Sequence, residues 1–219
     1  MKLILWSLVF MVISSVSFAS DFVTKGDINK SSIGMFKSFF TKEKCDQILI
    51  DTFTICYDHD RKSPTAVYVE VTGESVEKDI DKRPPFFTDK RVKKEFRTTS
   101  KDYTNTGYDR GHFGASDASH DWDKKHQKAT YSMANIVPQT PFANRYKFIA
   151  LEKHEREMAV KYGRLENLTI AYWNNRPKKI GDSQLHVPSG FAKLFTDGKN
   201  YKECFFVWNN DKYDKSDGQ

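Results

Sequence analysis

An α+β domain, with a mainly antiparallel central sheet flanked by helices of which one is long, is the fold class this sequence predicts. Runs rich in β-branched and aromatic residues at Gln47–Tyr57, Ala66–Thr72, Leu168–Trp173 and Cys204–Trp208 read as strands bounded by turn residues. A capped stretch from Thr140 to Tyr162 reads as one long helix. No repeat, low-complexity tract or interdomain linker divides residues 20–219, a length that a single core can serve.

Taken in order, the chain opens on a segment with the marks of a secretory signal. Lys2 supplies the positive start, Leu3–Ile13 is apolar apart from Ser7, and Ser17-Phe18-Ala19 offers small residues where a signal peptidase reads, so a cut after Ala19 is expected. A membrane anchor needs about 17 to 25 apolar residues, and this run is shorter. The mature chain at 20–219 is therefore expected to be secreted or periplasmic, with no stable membrane association. Residues 20–34 read as a loosely ordered polar arm, and Met35–Phe40 as a short helix.

Gln47–Tyr57 and Ala66–Thr72 are expected to pair as a hairpin across the turn residues Asp58–Pro64. Gly73–Asn105 is charged, holds Pro84-Pro85 and has little periodicity, so it reads as a long surface excursion bearing Arg83 and Arg97; such loops are often functional. Tyr108–Phe113 reads as a short strand, Asp121–Gln127 as a short helix, and Tyr131–Val137 as extended. Thr140 at the N-cap and Pro141 at the first helical position open the long helix, and Gly163 stops it. Phe142, Tyr146, Ile149 and Ala150 fall at helical spacing and predict its core-facing stripe. The polar tail, 209–219, is expected to fray.

The formal charge is +6, or +5 once Lys2 leaves with the signal, which suits a polyanionic partner without requiring one. Export permits disulfides. Cys45, Cys56 and Cys204 allow at most one internal bridge, in any of three pairings. None has C-x-x-C spacing or lies near the stretch that carries the chemistry.

That stretch is Asp109–Glu152, DRGHFGASDASHDWDKKHQKATYSMANIVPQTPFANRYKFIALE. It gathers His112, Asn135, Asn144 and Glu152 with Arg110 and Arg145, an inventory suited to phosphate. An imidazole moves protons near neutral pH, amide and carboxylate oxygens suit a hard cation such as Mg²⁺, and guanidinium forks match phosphate oxygens. Asn144 falls in the helix's first turn, where the positive dipole end opposes a bare cation but accepts one bridged to phosphate. Glu152 stands eight residues on, about 12 Å along an ideal axis and turned by about 80°, so it is expected to reach the same ion through water.

These residues carry a family resemblance. DRGH at Asp109–His112, followed by YSMANIVPQTPFANRYKFIALE and by HVPSGFAKL, resembles the DNA/RNA non-specific endonucleases of the ββα-metal (His-Me finger) superfamily over about Tyr57 to Asn210. The resemblance implies His112 as general base, Asn144 as the single direct metal ligand, Glu152 bound through water and Asn135 in a positioning role. It matches Arg83, in DKRPPFFTD, to the family's transition-state arginine, with Arg110 beside the base. It implies Mg²⁺ as the cofactor, with Mn²⁺ or Ca²⁺ as stand-ins, and 5′-phosphate products. The chain departs from the pattern at Phe113-Gly114-Ala115 after DRGH, at Phe148 in place of a helix Trp, and at Asn174 in place of a glycine.

DNA and RNA are both expected as substrates, because the basic side chains address the backbone and no groove-reading helix is present. Two other readings differ in class. One is a zinc hydrolase on His112, His120 and His126, whose spacings fit no H-E-x-x-H pattern; His120 and His126 read instead as surface residues. The other is a non-catalytic nucleic-acid binder that keeps the fold, which would need neither base nor metal ligand. An inhibitor protein as partner is also compatible with a nuclease.

Overall fold

The computed structural model describes residues 24–26, 45–50, 52–77, 80, 82–120 and 122–211. The expected signal segment and the short helix at Met35–Phe40 lie outside them. The strands are β1 (Thr24–Gly26), β2 (Asp46–Ile50), β3 (Phe53–Asp58), β4 (Ser63–Thr72), β5 (Asp109–His112), β6 (Ile136–Gln139), β7 (Arg164–Tyr172), β8 (Lys179–Ile180), β9 (Leu185–His186), β10 (Gly190–Thr196) and β11 (Lys202–Trp208). Helix α1 spans Lys124–Thr130 and α2 spans Ile149–Tyr162.

Seven strands form one antiparallel sheet in the order β1-β11-β10-β7-β4-β3-β2. Alternation in β4 explains its place at the centre: Val67, Val69 and Val71 are fully buried on one face, while Tyr68, Glu70 and Thr72 take the other. The valine face joins Phe53, Ile55, Leu165, Phe191, Phe195 and Val207 in the main core, where Phe148, Leu151 and Ala159 of the helical segment pack on it. The opposite face buries Ala66, Leu168 and Leu194 around a disulfide between Cys45 and Cys56, and Cys204 is free. Among the described residues no helix is long and apolar enough to cross a membrane.

Several expectations need correction. Gln47–Tyr57 is two strands, with Ile50 opposite Phe53 across a tight turn, so β2 becomes the sheet edge. Part of the N-terminal arm is ordered in pairing: β1 lies on β11, Thr24 opposite Phe206, where an unpaired edge would otherwise remain. The 73–105 excursion is irregular as expected, yet it is anchored by buried carboxylates. Asp102 Oδ2 accepts from Thr99 N at 2.7 Å, and Asp89 takes Arg91 and Ser132. Of the polar tail only 209–211 are described, the rest lying outside the described residues; there Asn209 Nδ2 donates to the carbonyls of Pro138 and Pro188, and its Oδ1 accepts from Thr140 N at 2.8 Å.

The long helix runs from 141 to 162, with Thr140 Oγ1 accepting from Ala143 N at 3.3 Å. Gly163 ends it at φ +79°, with open space where a Cβ would stand, so the left-handed backbone is what asks for glycine there. The buried face differs from the expected stripe. Tyr146 and Ile149 are 60% and 56% exposed, while Ala143, Lys147, Phe148, Leu151, Glu155 and Ala159 are buried. Hydropathy misleads here because two charged residues occupy the inner face. Lys147 Nζ is held by the Trp208 carbonyl and Asn210 Oδ1, and Glu155 by Asn167.

Candidate active site

Two short strands form a separate two-stranded sheet against the valine face of β4. β5 pairs antiparallel with β6, Asp109 opposite Gln139 and His112 opposite Ile136. Immediately after β6 the chain turns into the long helix, so strand pairing brings DRGH against the residues that open it. The helix begins with a π turn, Ala143–Phe148, before α2. A π turn takes up one extra residue and so removes about 100° of helical phase, leaving Asn144 and Glu152 roughly 20° apart rather than about 80°. Both therefore rise from one side of the helix, two turns apart.

His112 is half-buried, with its ring edge-on to Tyr131 (centroids 4.9 Å) and tilted against Phe86 (5.9 Å). Its Nε2 is enclosed and has no hydrogen-bond partner among the described residues. Burial, then the positive charges of Arg83, His120 and Lys193, pull its pKa down to about 3, so the ring is neutral at pH 7. The loop that follows is fixed by Asn135, which is fully buried. Nδ2 donates to the carbonyls of Ala115 (2.8 Å) and Thr130 (2.9 Å), and Oδ1 accepts from the amides of Gly114 and Ala115, each at 3.4 Å. Gly114 also fits a steric demand, since a Cβ there would stand 2.4 Å from the Val67 side chain. The loop thus rests directly on the central strand.

Asn144 Nδ2 donates to Asp109 Oδ2 at 3.1 Å. Arg145 closes on the same carboxylate, Nε to Oδ2 at 2.8 Å and an Nη to Oδ1 at 2.9 Å, and this fork holds the Asp109 carboxyl below the usual carboxylate range. Arg145, read from sequence as a phosphate contact, is therefore engaged by protein. Arg83 reaches the site despite its distance in sequence: its guanidinium, 77% exposed, lies 3.2 Å from Asp117 Oδ2 and depresses His112. Arg110, also exposed, lies over the Phe86 ring at 5.1 Å, on the same ring that touches His112. Arg97 is turned away onto the carbonyls of Val92 and Lys90.

Glu152 is half-buried; burial above all, helped by Glu155 and Asp117, pushes its carboxyl up to about 7 against the pull of Lys193 and Arg156. Lys193 on β10 is fully buried, 5.1 Å from the Phe148 ring centroid, and its Nζ has no hydrogen-bond partner among the described residues. Sequence reading assigned no role to Asp109, Asp117, Glu155 or Lys193. Asp109 carried a local signal as the first letter of DRGH and Lys193 as the lysine of HVPSGFAKL, whereas Asp117 and Glu155 carried none.

His120 is not a surface residue: it is 1% exposed, with Nδ1 at 3.0 Å from the Ser116 carbonyl. His126 is stacked on Trp122. Among the described residues no group of three or more His, Cys, Asp or Glu side chains is arranged to hold a metal. The groups that fit a cation are oxygen donors. Asn144 turns its amide nitrogen to Asp109, and its Oδ1, a hard ligand, accepts no hydrogen bond from a described residue.

A strand bearing a histidine, its antiparallel partner and a helix opened by an asparagine define a ββα-metal nuclease fold. The sequence profile of the DNA/RNA non-specific endonuclease family matches residues 32–219, and the chain belongs to that family. It is similar to the mitochondrial endonuclease G of Homo sapiens, 32% identical over 155 residues, covering 66% of this chain and 52% of that protein. It is similar also to the mitochondrial nuclease of Saccharomyces cerevisiae, 30% identical, covering 61% of this chain and 41% of that one. The chain thus spans about half the length of these relatives. The crystal structure of an endonuclease G bound to its inhibitor superimposes with a TM-score of 0.70 at 25% identity, covering 84% of this chain and 82% of that chain.

Proposed function

We propose that this chain is a metal-dependent endonuclease that hydrolyses phosphodiester bonds of DNA and RNA without reading their sequence. The observation that carries the reading is a neutral imidazole on β5 together with, at the start of the adjoining helix, an amide whose nitrogen is held by Asp109 and whose oxygen accepts no hydrogen bond from a described residue. Family membership and the similarity to endonuclease G support it.

Asn144 Oδ1 would hold one Mg²⁺, or Mn²⁺ or Ca²⁺ in its place, with Glu152 connected through water. When bound, the ion stabilises charge on the phosphoryl and leaving oxygens. The His112 imidazole takes the proton of the attacking water. The negative phosphate counters Arg83 and Lys193, so the ring gains basicity when substrate is present. Arg83 shares the charge that grows on phosphorus-bound oxygens, Arg110 grips the backbone, and Asn135 holds the loop that aims His112. Products carry 5′-phosphate and 3′-hydroxyl ends. The site lies on a chain exported by a signal cut after Ala19, and an inhibitor protein is a fitting partner, as for the endonuclease G of the structural neighbour.

The test is digestion of supercoiled plasmid and structured RNA with Mg²⁺ or EDTA, followed by 5′-end labelling of the fragments. Labelling by polynucleotide kinase is expected only after phosphatase treatment. Fragments that label directly, or cleavage that persists in EDTA, would count against the mechanism.

A further inference from the structure

We infer that Asp109 is the positioning residue of the metal ligand: its carboxylate fixes the Asn144 side chain so that the amide oxygen, not the amide nitrogen, faces the site. The inference rests on the reading of Asn144 as that ligand. The two ends of an asparagine amide have almost the same shape but opposite chemistry, an acceptor oxygen and a donor NH₂. Only the oxygen can bind a cation. An ionised carboxylate has lone pairs and no proton to give, so the end of Asn144 that meets Asp109 Oδ2 at 3.1 Å must be the NH₂. The choice of amide end therefore follows from the chemistry of the partner.

Arg145 makes the device rigid. It engages both oxygens of Asp109, sharing Oδ2 with Asn144, so the carboxylate has a fixed plane and a compensating charge. Strand pairing sets the approach. Asp109 stands opposite Gln139, and five residues beyond Gln139 comes Asn144. β5 thus holds the metal ligand with its first residue and carries His112 as its last, and four residues fix the spacing of the two groups. Partners that orient a ligand commonly contribute 10- to 100-fold to metal affinity, by about the same route as for metal-bound histidines.

The experiment is a Mn²⁺ titration of the mature chain followed by the spectrum of free Mn²⁺, with thermal unfolding run beside it. The chains compared are the unmodified protein, Asn144→Ala, Asp109→Asn, and the double variant Asp109→Asn/Asn144→Asp. Asp109→Asn is expected to weaken Mn²⁺ binding at least tenfold and to raise the Mg²⁺ concentration that half-saturates cleavage by a similar factor. The double variant restores an amide facing a carboxylate, with the carboxylate now on the helix, and is expected to regain most of that affinity. A folded Asp109→Asn chain that binds Mn²⁺ like the unmodified protein overturns the inference. So does a double variant no better than the single one, which would leave Asp109 a merely structural role. If the single variant does not fold, the double is compared directly with the unmodified chain: affinity within tenfold supports the inference and a larger loss overturns it. Failure of the underlying reading looks different, because Asn144→Ala would then bind Mn²⁺ as the unmodified chain does.

Discussion

Asn135, His112 and His120 carry the argument at the scale of single residues. Asn135 satisfies three backbone groups of the loop after β5 and the carbonyl of Thr130 at the end of α1. Asn135→Ala strands them, so a loss of about 2–4 kcal/mol in urea unfolding is expected, with kcat falling more than KM rises because the loop aims His112 rather than binding substrate. A variant of unchanged stability would contradict that role. The buried histidines make stability depend on pH. Unfolded, each takes a proton near 6.5; folded, His120 resists to about 4 and His112 to about 3. Their contribution is fully present above pH 6.5 and is lost as pH falls through those folded values. Glu152, raised to about 7, runs the other way: its contribution is complete below 4.5 and lost as pH rises through 7. Between pH 6.5 and 4.5, His120→Gln should therefore flatten the slope of unfolding free energy against pH by one proton, about 1.4 kcal/mol per unit. Parallel slopes in the two proteins would remove His120 from the account.

Among the elements, the short strand and the helix were legible in the sequence and their supports were not. DRGH at the end of an extended run, and Thr-Pro before a long helical stretch, are local signals, and β5 and the helix start lie where they point. Arg83 was noted on the irregular excursion but given a role only through resemblance, and the structure brings it to Asp117 and His112. The inner face of the helix was misread because Lys147 and Glu155 are buried with distant partners, Asn210 and Asn167, which no periodicity reveals. The π turn was equally invisible, since it leaves the hydropathy pattern of a helix intact. The tail shows the same limit. Polar composition gave no hint that Asn209 ties the end of β11 to the carbonyls of Pro138 and Pro188 and to the amide that begins the helix. Asn209→Ala is expected to lower amide-exchange protection of residues 140–143 and to cost about 1–3 kcal/mol; unaltered protection there would show that the clamp is incidental.

At the scale of the whole molecule, fold and charge suit the unselective site proposed. Packed on the seven-stranded sheet, the separate β5-β6 pair and the helix start lie together, while exposed Arg83 and Arg110 lie beside His112 on an overall basic chain. Backbone contacts of this kind weaken steeply with salt, so KM for plasmid should rise with NaCl while kcat changes little. The proposed export predicts that protein recovered outside the cytoplasm begins at Ser20; recovery with Met1 in place would set the leader reading aside. The most direct test of the central claim is Mg²⁺-driven nicking of plasmid by the mature chain beside His112→Ala and Asn144→Ala, with folding checked by circular dichroism. The expected result is metal-dependent cleavage reduced about a hundredfold or more in each variant. A chain that binds DNA but cuts nothing with any divalent metal, or a His112→Ala variant that cuts as before, would contradict it.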